Sequence, residues 1–358
     1  MANTLALSKD SLDAMLLVLM SRLKNANFSQ TAILLALVLV SLVSCVRFTT
    51  AQVTTDTAVA VDLIPIDVDP KHPERRDFGA LTLLSAFQIE SKDKRFGGLS
   101  GLSIGRDGKL YAVSDNGYWL SAKMEIDPNG VLLNLTDWQI APILATTNTP
   151  VTGALRDAEA LAVAKDGSFL VAFEGTHRIS RYSPPPKTFA STPVSVNIPA
   201  AVARAPGNGG IEGLAVLPDG RLLALTEEFT NGDGSFKGWL IEKGQFAELA
   251  YFPSKGFRVT DCAGLSNGDV LVLERRYVPF GILSARLTLV KGNSLQPGAK
   301  LAGKELLKLE QPLAVQNFEA VAAQQTSKGT LIYIVSDDNY SPFQQTLLLQ
   351  FLLPNTGN

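Results

Sequence analysis

The sequence is poor in the residues that most readily announce a chemistry. Two cysteines and two histidines occur among 358 residues, which excludes a disulfide framework and any Cys/His zinc cluster. A bound metal would therefore sit on oxygen ligands. Charge is also sparse: 18% of residues are charged, and 32 Lys+Arg against 34 Asp+Glu leave a net charge of -2, so no basic surplus draws the chain to nucleic acid. No P-loop, dinucleotide fingerprint or EF-hand loop is present. Residues 101–105 fit G-x-S-x-G, but Ser103 leads into a β-turn rather than a helix, and with only His72 and His177 as bases it reads as structural. A hydrophobic content of 46% with 29 Gly and 19 Pro fits a folded domain and not a disordered chain or a polytopic membrane protein.

One uncharged run stands out. Residues 31–43 (TAILLALVLVSLV) follow Arg22 and Lys24 and end at Leu42-Val43-Ser44-Cys45. Thirteen residues are too few to span a bilayer and suit the apolar part of an export signal. The ending is similar to the bacterial lipoprotein cleavage box, and Met20 offers a start that leaves a short basic lead. The expectation is an export segment over 1–45 with Cys45 lipidated, a bacterial lipoprotein facing the periplasm or exposed at the outer membrane or cell surface. A signal cleaved elsewhere and an uncleaved anchor are the alternatives. Residues 46–77 read as a tether, 78–353 as the domain and 354–358 as a tail. Cys262 then has no partner and reads as a small buried residue.

The domain repeats itself. Ser100-Gly101-Leu102-Ser103, Glu159-Ala160-Leu161-Ala162, Glu212-Gly213-Leu214-Ala215, Ala263-Gly264-Leu265-Ser266 and Glu319-Ala320-Val321-Ala322 each precede a glycine turn: Asp107-Gly108, Asp166-Gly167, Asp219-Gly220, Asn267-Gly268 and Lys328-Gly329. Each turn leads into an apolar strand that ends in acid. Repeats of 50 to 60 residues rich in strands indicate propeller blades. The fold class expected is all-β, a propeller of five four-stranded blades, or six if the interval between the first two copies hides another. The last copy supplies three strands, so residues 80–90 are expected to close the ring from the N-terminal side, removing free edges.

Treating each turn as a two-residue hairpin pairs Ser100 with Asp115, Glu159 with Glu174, Glu212 with Glu227, Asp261 with Glu274 and Glu319 with Asp338, Asp337 being adjacent if the register slips. Like charges face to face destabilise a sheet, so such pairs need a shared proton, an arginine or a cation. Inner strands line one channel, and a ring of acids there favours a cation, Ca²⁺ before Mg²⁺ or Mn²⁺. The expected ligands are Ser100, Glu159, Glu212, Glu319, Asp261 and Glu274. Asp115, Glu174, Glu227 and Asp338 are expected to complete the shell or act as general base. Arg156 and Arg258, three residues before an acid, are expected to receive an oxyanion. The alternative is that Arg156, Arg178, Arg258, Arg275 and Arg276 neutralise the acids structurally.

Phe96-Gly97-Gly98-Leu99-Ser100-Gly101-Leu102, Ser114-Asp115-Asn116-Gly117, Arg156-Asp157-Ala158-Glu159-Ala160-Leu161, Gly210-Ile211-Glu212-Gly213-Leu214-Ala215, Asn317-Phe318-Glu319 and Ser336-Asp337-Asp338-Asn339 together resemble the bacterial phytase-like, esterase-like propeller family over roughly residues 78–353. The resemblance implies a β-propeller, export and hydrolysis of phosphate or other esters. The Asp-Ala-Asp-Asp-Pro-type motif of the six-bladed calcium phytases is absent. The acid-per-blade ring is also similar in geometry to five-bladed calcium-dependent nucleotidases. The function expected is an exported, monomeric hydrolase whose attacking water is activated by a divalent cation, with a small-molecule ester as substrate, a phosphoester first. The alternatives are a non-catalytic surface propeller stapled by Ca²⁺, and a metal-dependent lactonase or carboxylesterase.

Overall fold

The computed structural model describes residues 57–278 and 282–355. The export segment with Cys45, residues 46–56 of the expected tether and the last three residues of the tail lie outside them. Among the described residues no helix is long and apolar enough to cross a membrane.

Five small sheets make five blades. From the channel outward, blade 1 is Leu99–Ile104, Lys109–Ser114, Tyr118–Ile126 and Leu132–Pro142, and blade 2 is Ala158–Val163, Phe169–Phe173, Arg178–Tyr182 and Val194–Val196. Blade 3 is Ile211–Val216, Leu222–Thr230, Phe236–Glu242 and Gln245–Tyr251, with Lys300–Leu301 added in parallel at its edge. Blade 4 is Arg258–Gly264, Val270–Val278, Ile282–Val290 and Lys304–Glu310. Blade 5 takes Asn317–Thr326, Gly329–Asp337 and Thr346–Pro354 from one end of the domain and Leu81–Glu90 from the other, Leu348 pairing with Phe87. The closing strand is thus where the sequence puts it, and the interval read as a possible sixth blade is filled by the outer strands of blade 1 and a short 3-10 turn at Gly153–Leu155.

The second strand of each blade reads almost wholly apolar, as in Phe169–Phe173 and Val270–Leu273, because both of its faces are covered by neighbouring blades. The core is correspondingly divided among the seams. Tyr111, Trp119, Phe169 and Tyr182 fill the seam between blades 1 and 2, with the Trp119 and Tyr182 rings edge to face at 5.2 Å. Trp239 belongs to the seam of blades 2 and 3 and Trp138 to that of blades 5 and 1. All three tryptophans are packing residues.

The segment expected to be a tether is folded from Thr57 onward. Val59, Val61 and Leu63 alternate and lean on the seam of blades 5 and 1, Ala58 bridges to Gln139, and Asp62–Pro65 extends blade 5 beyond Leu81–Glu90. Val68 is buried, and Asp69 beside it pairs with Arg75 at 3.1 Å. A period of two was hidden there by the Thr- and Asp-rich composition.

Two local devices reset the register inside the blades. In blades 1–4 the inner hairpin closes by a three-residue loop, as in the Ala164 N–H to Ser168 carbonyl bond of 2.8 Å. The loop glycines (Gly108, Gly167, Gly220 and Gly268) have φ between 76° and 95°, the left-handed conformation that glycine adopts without cost. Pairing therefore slips by one residue from the two-residue expectation, so that Leu161 faces Val171 and Leu214 faces Ala224. A β-bulge then adds a second slip near the start of every inner strand. The bulged residues are Ser100, Glu159, Glu212, Thr260 and Glu319.

This register corrects the repeat in blade 4. A cavity of about 190 Å³ runs down the channel at the turn end, lined by residues 102–104, 161–163, 214–216, 262–264 and 321–323. Cys262 is therefore the counterpart of Leu102 and Leu161. The true blade-4 repeat is Thr260-Asp261-Cys262, three residues before the Ala263-Gly264-Leu265 that mimics it. Cys262 is buried, as expected.

Candidate metal centre and active site

The bulges sit at the channel mouth opposite the turns, where an extra residue can re-aim a side chain. Next to the bulges, on the second strands or just past their ends, stand Asp115, Glu174, Glu227, Arg275 and Asp337. The equivalence follows from the bonds and pairs next to the bulges: the amides of Asp115, Glu174 and Glu227 donate to the carbonyls of Gly98, Asp157 and Gly210, Arg275 pairs with Arg258 and Asp337 with Asn317. The directly facing acid pairs expected from the hairpins do not form as such. The bulge and the longer loop nevertheless bring most of those acids to one place.

Electrostatics describe the convergence. Glu159 feels Asp157, Glu174, Glu319 and Asp115, and Glu212 feels Glu227, Glu319, Glu159 and Glu174. Burial first, and then this mutual repulsion, hold Glu159 and Glu212 well above the ordinary carboxylate range. Burial raises Asp115 to about 7, with Asp337 and Asp157 adding to it and Arg156 opposing. Glu174 also rises to about 7 through burial, although its Oε1 accepts the N–H groups of Gly210 and Gly209, the latter at 2.8 Å. Burial takes Asp337 to about 6 and Glu319 to about 8. Glu227 is raised by burial as well, with Arg275 and Arg258 opposing.

The oxygens of Asp157, Glu159 and Glu174 lie within 4.8 Å of one another. Asp115 Oδ1 is buried and has no hydrogen-bond partner. Three close carboxyl oxygens beside an orphaned fourth fit a hard divalent cation, which takes carboxylate oxygens in flexible geometry.

Other expected site residues stand elsewhere. Asp261 is fully buried, its carboxylate accepting the Cys262 N–H at 2.7 Å and the Val321 N–H at 2.8 Å; it ties the inner strands of blades 4 and 5 together. Glu274 turns into the seam of blades 3 and 4, where it accepts the Tyr251 hydroxyl and pairs with Arg286 at 3.3 Å. Asp338 clasps the seam of blades 5 and 1 through Gly98 N–H, Tyr340 N–H and the Thr346 hydroxyl, and Asp337 takes the ring position. Ser100 is buried and donates to the Gly98 carbonyl at 3.2 Å. Arg156 is exposed beside Asp115, and Arg258, also exposed, pairs with Glu228 at the rim.

Sequence reasoning missed Arg275 and Asp157 as members of the ring. Arg275 reaches Glu319 at 2.9 Å and Glu227 at 3.3 Å and donates to Asn317. Both residues become visible only when the loop is counted as three residues. His177, weighed in the sequence only as a triad base, packs against Gly210, and its Nδ1 is buried without a hydrogen-bond partner.

A family model described as phytase-like, esterase-like activity of phytase, matches residues 94–340, the whole span that carries the ring. The chain belongs to that family. Among solved structures, this phytase-like propeller is similar to a gluconolactonase from Xanthomonas campestris (11% identity, 82% of this chain and 98% of that one, TM-score 0.38). It is similar also to the PQQ-bound aldose sugar dehydrogenase of Streptomyces coelicolor (12% identity, 83% and 99% coverage, TM-score 0.42). A third is the major allergen Mala s 1 of Malassezia sympodialis (16% identity, 81% and 92% coverage, TM-score 0.38). Curated proteins give no match. The chemistry open to the phytase-like propeller rests on its own carboxylates.

Proposed function

We propose that this phytase-like propeller is an exported, metal-dependent ester hydrolase that acts on small phosphoesters at the acidic mouth of its channel. The observation that carries the reading is the convergence of Asp157, Glu159 and Glu174 oxygens within 4.8 Å. Those three, with Asp115 and Glu212, would hold a divalent cation, Ca²⁺ before Mg²⁺ or Mn²⁺. Such an ion, when bound, supplies Lewis acidity and lowers the pKa of water in its shell.

The chain's own residues do the rest. Asp115 Oδ1, buried and unpartnered, is left free to join those ligands. Arg156, exposed at the rim, presents a guanidinium group to an oxyanion, a match to phosphate that ammonium groups lack. Glu174, Glu227 and Asp337 are themselves buried, and the low dielectric around them strengthens each of these interactions. The run over 31–43 and Cys45 supports a lipid anchor on the outer side of a bacterial membrane; labelled palmitate incorporated by the native chain and lost in Cys45→Ser tests that part.

The esterase-like description of the family favours a second reading, hydrolysis of carboxyl esters. Turnover of an aryl phosphate and of an aryl acetate, each with and without a chelator, decides among the alternatives. Chelator-sensitive phosphate release with phosphate inhibition supports the phosphoesterase, and acetate turnover alone supports the carboxylesterase. A melting temperature lowered by chelator, with neither substrate turned over, overturns both in favour of a structural ion.

A further inference from the structure

We infer that Arg275 is a resident cation that limits the ring to one divalent ion, and that this ion sits off the channel axis on the side of blades 1 and 2; the inference rests on the metal-dependent reading above. Four of the five equivalent ring positions carry acids, Asp115, Glu174, Glu227 and Asp337, and blade 4 alone supplies a base. The guanidinium spans two acids from different blades, at 3.3 Å from Glu227 and 2.9 Å from Glu319, and donates to Asn317. Its planar fork suits that bridging task. Glu227 and Glu319 are thereby compensated by a group of the protein itself.

The opposite side of the ring has no such partner. Asp157, Glu159 and Glu174 crowd within 4.8 Å, and Asp115 leaves one oxygen orphaned. Glu212 supplies an independent sign. It is 9% exposed, so nine-tenths buried, and among the described residues its carboxylate accepts no hydrogen bond and makes no ion pair. It nevertheless feels the charges of Glu227, Glu319, Glu159 and Glu174. A buried carboxylate aimed into a ring of carboxylates with nothing to neutralise it is costly unless a ligand completes it. Arg275 feels Glu212 too, but does not reach it. Glu212 therefore stands at the boundary between the half compensated by Arg275 and the half that awaits a cation.

Removing the guanidinium should open a second acidic half-ring from Glu212, Glu227, Glu319 and Asp337. Calorimetric titration of the chelator-stripped full-length chain with CaCl₂ tests this. The expected stoichiometry is one site in the native protein, two in Arg275→Met and one in Arg275→Lys. Glu159→Gln should weaken the native site at least thirtyfold, and Glu319→Gln should shift it less than threefold, which locates the ion if Arg275→Met does not fold. One unchanged site in Arg275→Met overturns the role of Arg275, and equal losses in Glu159→Gln and Glu319→Gln overturn the off-axis seat. A native chain that binds no Ca²⁺ overturns the metal-dependent reading and this inference together, and is told apart because it shows before any substitution is made.

Discussion

Blades 2 and 4 are built alike and charged unlike. Each has four strands, a three-residue inner loop with a left-handed glycine, and a bulge near the start of the inner strand. At the positions next to the channel mouth, blade 2 places Asp157, Glu159 and Glu174, whereas blade 4 places Arg258, Thr260 and Arg275. Blade 4 is not short of acids. Its Asp261 and Glu274 lie one residue off register, and in a strand one residue is the difference between two faces. Asp261 thereby becomes a tie between inner strands, and Glu274 a partner for Tyr251 and Arg286. The backbone repeats about fivefold while the charge does not, and the pleat decides whether a carboxylate serves the mouth or the seam.

The comparison breaks most visibly in activity. Glu159→Gln in blade 2 should cost at least roughly 100-fold in turnover, about 3 kcal/mol in the barrier, and should leave the metal-free melting temperature unchanged or higher, because a repelled buried charge is removed. Asp261→Ala in blade 4 should do the reverse. Two buried N–H groups lose their acceptor at about 1–3 kcal/mol each, so denaturant melts should show a loss of roughly 2–6 kcal/mol while the folded fraction keeps its turnover.

Acidity gives a third test. Asp337, Asp115, Glu174 and Glu319 have folded pKa values of about 6, 7, 7 and 8, all above the unfolded value near 4. Between those limits the folded chain holds more protons than the unfolded one, so stability falls as pH rises from about 4 to about 8. Thermal melts of metal-free protein should therefore drop by several degrees from pH 5 to pH 8, and Ca²⁺ should restore more at pH 8 than at pH 5. The carboxylates with lowered pKa, Asp166 at about 2 among them, titrate below this window and do not offset it. The smallest effect belongs to the rim. Arg258→Ala breaks an exposed pair with Glu228 and should change stability by less than roughly 1 kcal/mol, measurable by the same melts.

Blade number, the closing strand and the gathering of acids at one mouth were all legible in the sequence, since each depends on patterns repeated several times. The particular pairings were not. Asp-Gly marks a tight turn equally well whether the loop has two residues or three, and the side-chain caps from Asp166 to Ser168 and Asp219 to Arg221 belong to the longer one. A bulge leaves no mark in composition, so Glu159 appeared to face Glu174 when the strand partner of Phe173 is Ala158. In blade 4 the Ala263-Gly264-Leu265 triplet copies the repeat three residues late, which drew Asp261 and Glu274 into the ring and left Arg275 out. Asp337 and Asp338 are adjacent in sequence, and only the fold separates ring member from clasp.

The last blade joins Leu81–Glu90 to Thr346–Pro354, strands made early and late in the synthesis of the domain. A growing chain therefore carries four blades and an unmated ribbon until Thr346–Pro354 emerges, and the mouth has no fixed circumference before then. Assembly of the acidic cluster waits on that long-range stitch, the slowest kind of contact for a polypeptide to find, so loss of the terminal strand should abolish ion capture even though none of the capturing side chains lies on it.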